Sequence, residues 1–510
     1  MKVIAMYLPQ FHRVRENDEW WGEGFTEWTA VKAAEKLFDN HEQPRVPLNE
    51  NYYDLLDKNT MQWQSDLMKR YQIDGMCFYH YYFKDGRKIL EQPAENLLKW
   101  TDIDMPFCFS WANESWIRSW SNMTSGGHNP WFAKFDNKNV TSNGENGVLI
   151  EQAYGEQEDW DAHYKYVAQF FHDDRYIKYN GMPVFMIYKP MYIPCLAQML
   201  ARWDILAQND GFKGIYTLGT NVIDSQKYGV KGVNLQEPQD TFNRFFTKRF
   251  DNNDNVRQSL YYQDVWEKVV TKKVSTGASL GGFVGYDDTP RRGHNGTVIR
   301  NRSPFTFYDG VKRLLLKARQ VQSPFVFINA WNEWGEGMYL EPDESFGTSF
   351  LEAFYQAKKD AEYMNDTDVS VVTGQTIQTL HEENTSLRRT IDRYRDYWRV
   401  LDAWVGQMEN GTSPADYLTK KDYKRVAIYG YGMLGKHLVY QLEKTNFKVS
   451  YVIEKDKTKS TAGITLYSLD EELPSVDAVI VTVLYDYDKI RSTLQNKVKA
   501  DILPIDKLFE

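Results

Sequence analysis

The sequence predicts an α/β protein: a (β/α)8 TIM-like barrel over residues 1–365, a coiled-coil helix over 375–408, a linker over 409–423 and a small Rossmann-like domain over 424–510. Three observations predict this order. Eight apolar runs alternate with helix-like segments, a heptad pattern follows, and a Gly-x-Gly-x-x-Gly motif comes last. At 510 residues the chain exceeds the roughly 250–300 residues of a single hydrophobic core, so more than one domain is expected.

The eight predicted strands are short runs rich in β-branched and aromatic residues. They are Lys2–Leu8, Ile73–Phe83, Met105–Asn113, Met182–Pro190, Lys213–Asn221, Gly232–Gln236, Leu280–Asp288 and Pro324–Glu333. Between them, apolar residues recur three or four apart, as an amphipathic helix requires. Parallel strands need such crossovers, and eight runs favour a closed barrel over the alternative, a doubly wound open sheet.

Polar and aromatic residues gather where the predicted strands end, at the edge where barrel enzymes hold their active sites. We take these residues as candidate substrate contacts, with packing at the barrel rim as the alternative for each. They are Tyr7, Gln10, His80, Trp111, Asn113, Glu114, Tyr188, Asp287, Arg291, Trp331 and Asn332. The aromatic content of 15% suits the flat faces of sugar rings, although a large aromatic core would account for it equally well.

The last predicted strand leads into a turn with two glutamates, Glu333 and Glu336, between tryptophans and glycines. Cleavage of a glycosidic bond passes through a positively charged transition state, so it needs one carboxyl to protonate the leaving oxygen and another to act as base or nucleophile. Close spacing pushes the pKa values of such a pair apart. The pair is therefore the candidate catalytic site, and the alternative is a solvated cap of the next segment.

Four motifs within the predicted barrel carry a resemblance to a known family. They are GFTEW (Gly24–Trp28), FSWANESW (Phe109–Trp116), GYDDTPRR (Gly285–Arg292) and AWNEWGEGMYLEPD (Ala330–Asp343). Together they resemble the WbsX-type family, a bacterial group related to glycoside hydrolase family 99. Members found with surface-polysaccharide genes are described as glycosyltransferases, whereas secreted relatives cleave mannan or N-glycans.

The resemblance implies a (β/α)8 barrel with an α-mannoside-type site and a retaining mechanism. One carboxylate deprotonates the 2-hydroxyl of the sugar to form a 1,2-anhydro intermediate, and the other serves as general acid and then as base. Glu333 matches the first role and Glu336 the second. This chemistry requires no cofactor, and the sequence shows no metal-type spacing of ligands.

The region 375–408 has the heptad pattern of a coiled coil, with apolar residues at alternating spacings of three and four. The a and d positions are Ile377, Leu380, Asn384, Leu387, Ile391, Tyr394, Trp398, Leu401, Val405 and Met408. An asparagine at an a position favours a parallel two-stranded coil. We therefore expect a homodimer, and the alternative is a single helix that lies across its own barrel.

The last segment contains Gly430, Gly432 and Gly435 between a strand-like and a helix-like run, and Glu454 closes a second strand. Such glycines let a backbone approach a pyrophosphate at a helix N-terminus, and the acid can bind a ribose hydroxyl. The pattern predicts a site for a nucleotide or nucleotide-sugar and resembles, at the level of fold, half-Rossmann modules of bacterial sugar-modifying enzymes. The alternative is that the glycines serve only a tight turn and helix packing.

The bulk properties disfavour several partners and locations. A net charge of -9 disfavours nucleic acid and anionic membranes. No run reaches the roughly 18–20 apolar residues of a membrane span, and the first apolar stretch is too short for a signal peptide. The three cysteines have no paired spacing, which indicates free thiols in a reducing compartment. We therefore expect a cytoplasmic protein.

The leading hypothesis is an enzyme that acts on α-mannoside-like glycosidic bonds in O-antigen or capsule biosynthesis. Its expected substrate is an oligosaccharide, free or lipid-linked. Glycosyl transfer is expected, with an endo-acting retaining hydrolase of the family 99 type as the first alternative. A second alternative is a non-catalytic glycan-binding scaffold. A third, an NAD-dependent oxidoreductase in the tail, is disfavoured because the tail supplies only about half of a dinucleotide fold.

Overall fold

The chain forms two compact units, Met1–Asn365 and Asp366–Glu510, each with its own hydrophobic core. The computed structural model describes residues 1–117, 148–246, 256–364, 396–445, 447–454, 463–485 and 487–509.

The first unit is built on eight parallel strands. They are β1 Lys2–Tyr7, β2 Met76–Tyr82, β3 Phe107–Trp111, β4 Met182–Ile187, β5 Tyr216–Thr220, β6 Gly232–Asn234, β7 Leu280–Phe283 and β8 Phe325–Asn329. Their order is β6-β5-β4-β3-β2-β1-β8-β7, and a parallel bridge between Asn234 and Ser279 connects β6 to the start of β7. Each strand lies within its predicted bounds, so the predicted α/β barrel is confirmed.

Helices connect the strands and cover the barrel. In the described part of the unit they are α1 Arg15–Trp21, α2 Glu27–Lys32, α3 Lys58–Arg70, α4 Gln92–Lys99, α5 Gln157–Phe171, α6 Leu196–Asn209, α7 Ser225–Tyr228, α8 Gln239–Phe245, α9 Tyr262–Thr271, α10 Thr289–Arg292, α11 Pro304–Gln320 and α12 Ser349–Tyr363. Short strand pairs extend the loops. They are Lys88–Ile89 on β2, Lys178–Tyr179 on β4, Trp116–Ile117 with Val148–Ile150, Gln258–Tyr261 with Thr297–Arg300, and Asn332–Glu333 with Met338–Tyr339.

Helix α11 shows how the sequence specifies a crossover. The Oγ of Ser303 accepts a hydrogen bond from the N–H of Thr306 at 3.1 Å, and Pro304 stands in the first turn, where no N–H is needed. Apolar residues at helical spacing then form one buried stripe, which includes Phe307, Val311, Leu314, Leu315 and Ala318. Each large side chain buried in this way contributes about 1.5–3 kcal/mol.

Strand β2 illustrates the two faces of the barrel wall. Successive side chains on a strand point to opposite faces. Phe78 stacks on Tyr7 with ring centroids 4.1 Å apart, and His80 contacts His163 on α5, so this face meets the helices. Tyr79 belongs to the opposite face, where the strands end in a cluster of polar groups.

The second unit contains a five-stranded parallel sheet. Its strands are β9 Arg425–Tyr429, β10 Lys448–Ile453, β11 Leu466–Tyr467, β12 Ala478–Val481 and β13 Asp501–Pro504, in the order β11-β10-β9-β12-β13. Its helices, in the described residues, are α13 (396–409), α14 Pro414–Lys420, α15 Met433–Glu443 and α16 Tyr487–Gln495. The first strand lies at the centre, as in doubly wound sheets.

Part of the predicted linker 409–423 is structured. Helix α14 begins after Ser413, whose side chain and that of Asp416 form a capping box, and Leu418 is fully buried in the core. Residues Pro414–Lys420 of the predicted linker are therefore helical, and Pro414 fits there because proline is compatible with the first turn of a helix.

Residues 375–395 of the predicted coiled coil lie outside the described residues. The later part of the heptad region is helical and belongs to α13. Val400 and Trp404 on this helix are buried in the core of the second unit. Trp398, Val405 and Met408, which occupy predicted a and d positions, remain exposed on 70%, 51% and 60% of their surface.

Candidate active site

The two glutamates lie in one tight turn after β8. Asn332–Glu333 pairs in antiparallel fashion with Met338–Tyr339, and Trp334–Glu336 forms a single 3-10 turn between them. Residues three apart in such a turn lie on the same side. The turn therefore brings Glu333 and Glu336 together at the carboxyl end of the barrel.

Arg291 on α10 bridges the two carboxylates. Its Nη2 donates a hydrogen bond to Oε1 of Glu333 at 2.5 Å, and its Nη1 donates to Oε1 of Glu336 at 2.7 Å. The side chain of Arg291 is only 5% exposed, so these contacts form away from bulk water. Charge-assisted hydrogen bonds in such surroundings are strong and directional, and they fix the positions of both carboxylates.

A third carboxylate, Glu27 at the start of α2, binds the same guanidinium. Nε of Arg291 donates to Oε1 of Glu27 at 2.7 Å, and Glu27 is fully buried. Among the described residues Oε2 of Glu27 has no hydrogen-bond partner. A Cβ at Gly335 would lie 1.8 Å from Oε1 of Glu27 and 2.8 Å from Nε of Arg291, so the glycine in the Trp334–Glu336 turn makes room for this contact.

Tyrosines and glutamines form a polar, aromatic wall beside the carboxylates. The rings of Tyr79 and Tyr188 meet edge to face with centroids 6.2 Å apart. Nε2 of Gln236 donates to the hydroxyl of Tyr79 at 3.2 Å, and Nε2 of Gln10 donates to the hydroxyl of Tyr81 at 3.5 Å. Aromatic faces with hydroxyl and amide edges suit a saccharide, which presents both C–H and hydroxyl groups.

The electrostatics of the pair follow from burial. Burial raises the pKa of Glu333 to about 8, opposed by Arg291 and reinforced by the charges of Glu336 and Glu27. Burial also raises the pKa of Tyr79 and of Tyr188, with the two glutamates of the pair adding to the effect. Burial therefore favours a proton on Glu333, as expected where carboxylates outnumber cations.

Three predicted substrate contacts face the helices instead of the site. Tyr7 donates to Oε1 of Gln64 at 2.6 Å and is fully buried. Nε2 of His80 lies 2.9 Å from Nε2 of His163, and burial lowers the pKa of His80 to about 3. Trp111 meets the ring of His163 with centroids 4.8 Å apart. Strand alternation turns these three side chains to the outer face of the barrel, away from Glu333 and Glu336.

Two of the predicted contact residues, Asn113 and Asn332, each bind the backbone of a neighbouring loop through the side-chain amide. Oδ1 of Asn113 accepts from the N–H of Lys189 at 2.8 Å, and its Nδ2 donates to the carbonyl of Lys189 at 2.9 Å. Asn332 makes the same pair of bonds to Leu8, at 2.7 and 3.0 Å. Both ends of each amide are thus used within the protein, and the two side chains hold neighbouring loops in place.

Asp287 and Trp331 are likewise enclosed by protein. The Oδ2 of Asp287 contacts Nε2 of His41 at 2.9 Å and accepts from Nε2 of Gln43 at 2.8 Å, and its Oδ1 accepts from the hydroxyl of Thr289 at 2.6 Å. Trp331 has no exposed surface. Position at a strand end did not distinguish these buried residues from residues that line the site.

The remaining candidates lie at or beside the site. Gln10, Tyr188 and Arg291 belong to the cluster described above. Burial raises the pKa of Glu114 to about 7, and the positive charge of Lys189 opposes this shift. The charge of Glu114 adds to the burial that raises the pKa of Tyr188. Glu114 is thus a further carboxyl group next to the aromatic wall.

Sequence reasoning missed four residues of the cluster, Glu27, Tyr79, Tyr81 and Gln236. Glu27 stands in the GFTEW motif, whose acidic residue was an available signal. Tyr79 and Tyr81 flank His80 on β2, and strand alternation means that His80 cannot face the same side as its neighbours. A stricter use of this rule would have selected the tyrosines.

In the second unit, two of the three glycines have packing roles. Gly430 has a φ of 92°, and a Cβ at Gly435 would lie 2.1 Å from the carbonyl oxygen of Gly430. At Gly432 a Cβ would meet nothing within 4 Å. The N–H of Tyr431 donates to Oε2 of Glu454 at 2.7 Å, so the acid binds the turn itself. Nucleotide binding here stays a prediction.

Within the described ranges, no group of three or more His, Cys, Asp or Glu side chains is arranged to hold a metal ion. In the same part of the chain, no helix is both long and apolar enough to cross a bilayer. Cys77, Cys108 and Cys195 are free thiols, and the first two are buried.

Comparisons with known proteins extend these observations. A family model described as glycosyltransferase WbsX matches residues 3–354. The protein WxcX from Xanthomonas campestris pv. campestris is 32% identical over 368 residues, which cover 70% of this chain and 49% of WxcX. The chain therefore spans about half the length of the curated relatives it matches.

Two solved structures illustrate the structural matches. A GH99 endo-α-mannosidase from Bacteroides thetaiotaomicron has a TM-score of 0.42 at 12% identity, covering 71% of this chain and 97% of that one. The catalytic domain of a chitinase from Pyrococcus furiosus has a TM-score of 0.31 at 10% identity, covering 59% and 92%.

Proposed function

Because the chain belongs to the WbsX glycosyltransferase family, we propose that its barrel transfers a glycosyl unit in the assembly of a bacterial surface polysaccharide such as O-antigen or capsule. The observation that carries this proposal is the pair formed by the buried Glu333 and the partly buried Glu336, which Arg291 holds beside an aromatic wall. The proposed substrate is an α-mannoside-like saccharide, free or lipid-linked. The free thiols favour a reducing, cytoplasmic location.

The proposed route uses both carboxyl groups twice. Glu333 takes the proton of the 2-hydroxyl as that oxygen attacks C1, and Glu336 gives its proton to the departing oxygen as the glycosidic bond breaks. In the second half, Glu336 takes a proton from the acceptor hydroxyl, which attacks C1 and opens the 1,2-anhydro ring. The proton on Glu333 then returns to the 2-oxygen, so the pair ends as it began.

The raised pKa of Glu333 has a consequence for this route. A base must be ionised, and burial keeps Glu333 protonated until the pH approaches about 8. Turnover by this route therefore increases as the pH rises toward that value. If Glu333 is instead the proton donor and Glu336 the base or nucleophile, turnover falls over the same pH interval. The pH profile of kcat/KM thus distinguishes the two assignments.

The test of the proposed function is mass spectrometry of products from lipid-linked and free oligosaccharides, with and without nucleotide sugars. Extension of an acceptor supports transfer. Release of a shorter saccharide into water, with no acceptor product, supports the endo-hydrolase alternative. Binding without turnover on a substrate panel supports the glycan-binding scaffold and contradicts catalysis.

The matched variant for this test is Glu336→Gln, because the amide preserves shape but cannot donate a proton. We expect turnover to fall by about 10²–10⁴ while saccharide affinity stays within roughly tenfold. Turnover equal to that of the unmodified protein contradicts the catalytic role. Glu42→Gln, which changes a carboxyl bonded to Arg302 away from the pair, is the control.

A further inference from the structure

The Arg291 cluster contains three carboxylates and one guanidinium. The three nitrogens of Arg291 each donate to a different carboxylate, those of Glu27, Glu333 and Glu336. Glu27 and Arg291 are separated by more than 260 residues in sequence and are both buried, so their contact is a product of the fold. An arginine without Glu27 could bind the pair alone.

Glu27 has features that a simple structural ion pair does not require. Its second oxygen, Oε2, has no hydrogen-bond partner in the described part of the chain, although the side chain is fully buried. Burial of an unbonded carboxylate oxygen is costly. The contact with Gly335 also places Glu27 directly against the turn that carries both catalytic candidates.

We propose that Glu27 is a positioning residue that holds Arg291 against Glu333 and Glu336 and balances its charge, so that the pair retains one proton. If Glu27 were neutral, the guanidinium would be shared by two carboxylates only, and its full positive charge would favour ionisation of both. With Glu27 present, part of that charge is already compensated. One carboxyl of the pair is therefore available as a proton carrier.

The other groups around Glu333 do not supply this balance. Among the residues that the structure describes, the titratable and charged groups that face it are Arg291 from α10, Glu27 from α2, Glu336 from its own turn, Tyr79 and Tyr81 from β2, and Tyr188 after β4. The three tyrosines are neutral at ordinary pH because burial raises their pKa. Arg291 is the only cation in this set, and Glu27 is the only anion outside the pair.

The test measures proton binding by the folded full-length protein without substrate. The difference between potentiometric titrations of the unmodified protein and of Glu333→Gln gives the midpoint at which Glu333 titrates. The same difference is then measured in a Glu27→Gln background. We expect the midpoint to fall by at least about one pH unit, because the uncompensated guanidinium then stabilises the ionised form.

Two variants control for indirect effects. Glu27→Asp keeps the charge, so it should return the midpoint to within about half a pH unit of the original. Glu341→Gln removes an equally buried carboxyl that bonds to Tyr53, Gln64 and Trp334 and does not touch Arg291, so it should leave the midpoint unchanged.

An unchanged midpoint in Glu27→Gln, or an equal shift in Glu341→Gln, overturns the proposal. If Glu27→Gln does not fold, Arg291→Lys tests the same cluster, because one ammonium cannot replace three directed donors. We expect that variant to raise the midpoint, and no change contradicts the proposal. The inference rests on the proposed function only in treating the positioned pair as catalytic. The titration measures the midpoint of Glu333 even if no turnover is found.

Discussion

At the scale of single residues, the barrel favours protonated forms of several buried carboxyl groups. Burial raises the pKa of Glu333 to about 8, of Glu341 to about 7 and of Asp288 to about 6. A carboxyl with a raised pKa binds its proton more tightly in the folded state. Its contribution to stability is complete below the unfolded pKa, about 4, and is lost as the pH rises through the folded pKa.

The first prediction is that the barrel loses stability as the pH rises from 6 to 8. Each such group changes the free energy of unfolding by up to about 1.4 kcal/mol per pH unit. Glu333→Gln cannot titrate, so the melting temperature of the barrel should decline less steeply in this variant. Scanning calorimetry at pH 6, 7 and 8 measures the difference, and identical slopes would contradict the raised pKa of Glu333.

At the acidic end of this range the histidines act in the opposite direction. Burial lowers the pKa of His80 to about 3 and lowers that of His163 as well. The unfolded chain then binds protons that the folded chain excludes, and stability is lost as the pH falls below about 6.5. This contribution of the histidines is the same in Glu333→Gln, so the difference between the slopes of the two proteins reports Glu333 alone.

The second prediction concerns the contact of Gly335 with Glu27. Gly335→Ala would place a methyl group 1.8 Å from Oε1 of Glu27, so the two residues must separate at a cost in stability. Glu27→Ala removes the obstructing group. Because Nε of Arg291 still lies 2.8 Å from the added carbon, we expect Gly335→Ala to cost less stability in the Glu27→Ala background than in the unmodified protein, and chemical denaturation of all four proteins gives the coupling energy. Additive losses would show that the clash is not the cause.

The candidate site could be predicted only in part from single residues. Glu333 and Glu336 follow from chemistry and local spacing, because the pair lies within one turn. Asn113 and Asn332 did not reveal their role, since each bonds the backbone of a loop distant in sequence. Whether an amide at a strand end meets a ligand or a neighbouring loop depends on tertiary contacts that no local pattern encodes.

At the scale of elements, the glycines of the glycine-rich turn in the second unit have different surroundings: one is tightly packed and another is open to an approaching ligand. Gly435 lies on α15 against the turn, where a Cβ would meet the carbonyl of Gly430 at 2.1 Å, whereas Gly432 faces open space. The third prediction is that Gly435→Ala lowers the melting temperature of this unit by several degrees and Gly432→Ala does not. Equal effects in differential scanning fluorimetry would contradict these packing roles.

The fourth prediction is that a nucleotide or nucleotide-sugar, if bound, approaches at Gly432. Calorimetric titration of the full chain with NAD, a uridine-diphosphate sugar and coenzyme A tests this. Binding should weaken at least about tenfold in Gly432→Val, because a branched side chain blocks the approach of phosphate to the backbone. No binding by any of these compounds favours the alternative in which the glycines serve only the turn.

At the scale of the whole molecule, the alternation of apolar runs with helical segments was more informative about the fold than the identity of single residues. The eight barrel strands were predicted within their bounds because each is a compact apolar run between helical segments. The family resemblance is confirmed by the match over residues 3–354. The structured part of the predicted linker was missed because glycine and proline mark both loops and helix ends, and only the buried Leu418 shows which applies.

The face of α13 that remains exposed determines the last prediction. The helix packs on its own unit through Val400 and Trp404, and leaves Trp398, Val405 and Met408 uncovered. The uncovered residues follow the a and d spacing of the predicted coiled coil. Leu401, the other predicted a or d residue of this stretch, packs partly against the core of the second unit. The core therefore leaves Trp398, Val405 and Met408 of the stripe for a second copy of this helix to bury.

We predict that the protein is a homodimer through the helix predicted over 375–408. Replacing Val405 and Met408 together with glutamate puts like charges along the stripe and leaves Val400 and Trp404 in place, so the dimer should become a monomer with its fold retained. Tyr440→Glu, an equally exposed aromatic position on α15 at 61% exposure, is the control that should stay dimeric.

Multi-angle light scattering at micromolar concentration measures the mass. An intact protein that is already monomeric would reject the coiled coil, whereas a dimer that survives the double substitution would locate the interface elsewhere, since two buried charges per helix are incompatible with an apolar seam.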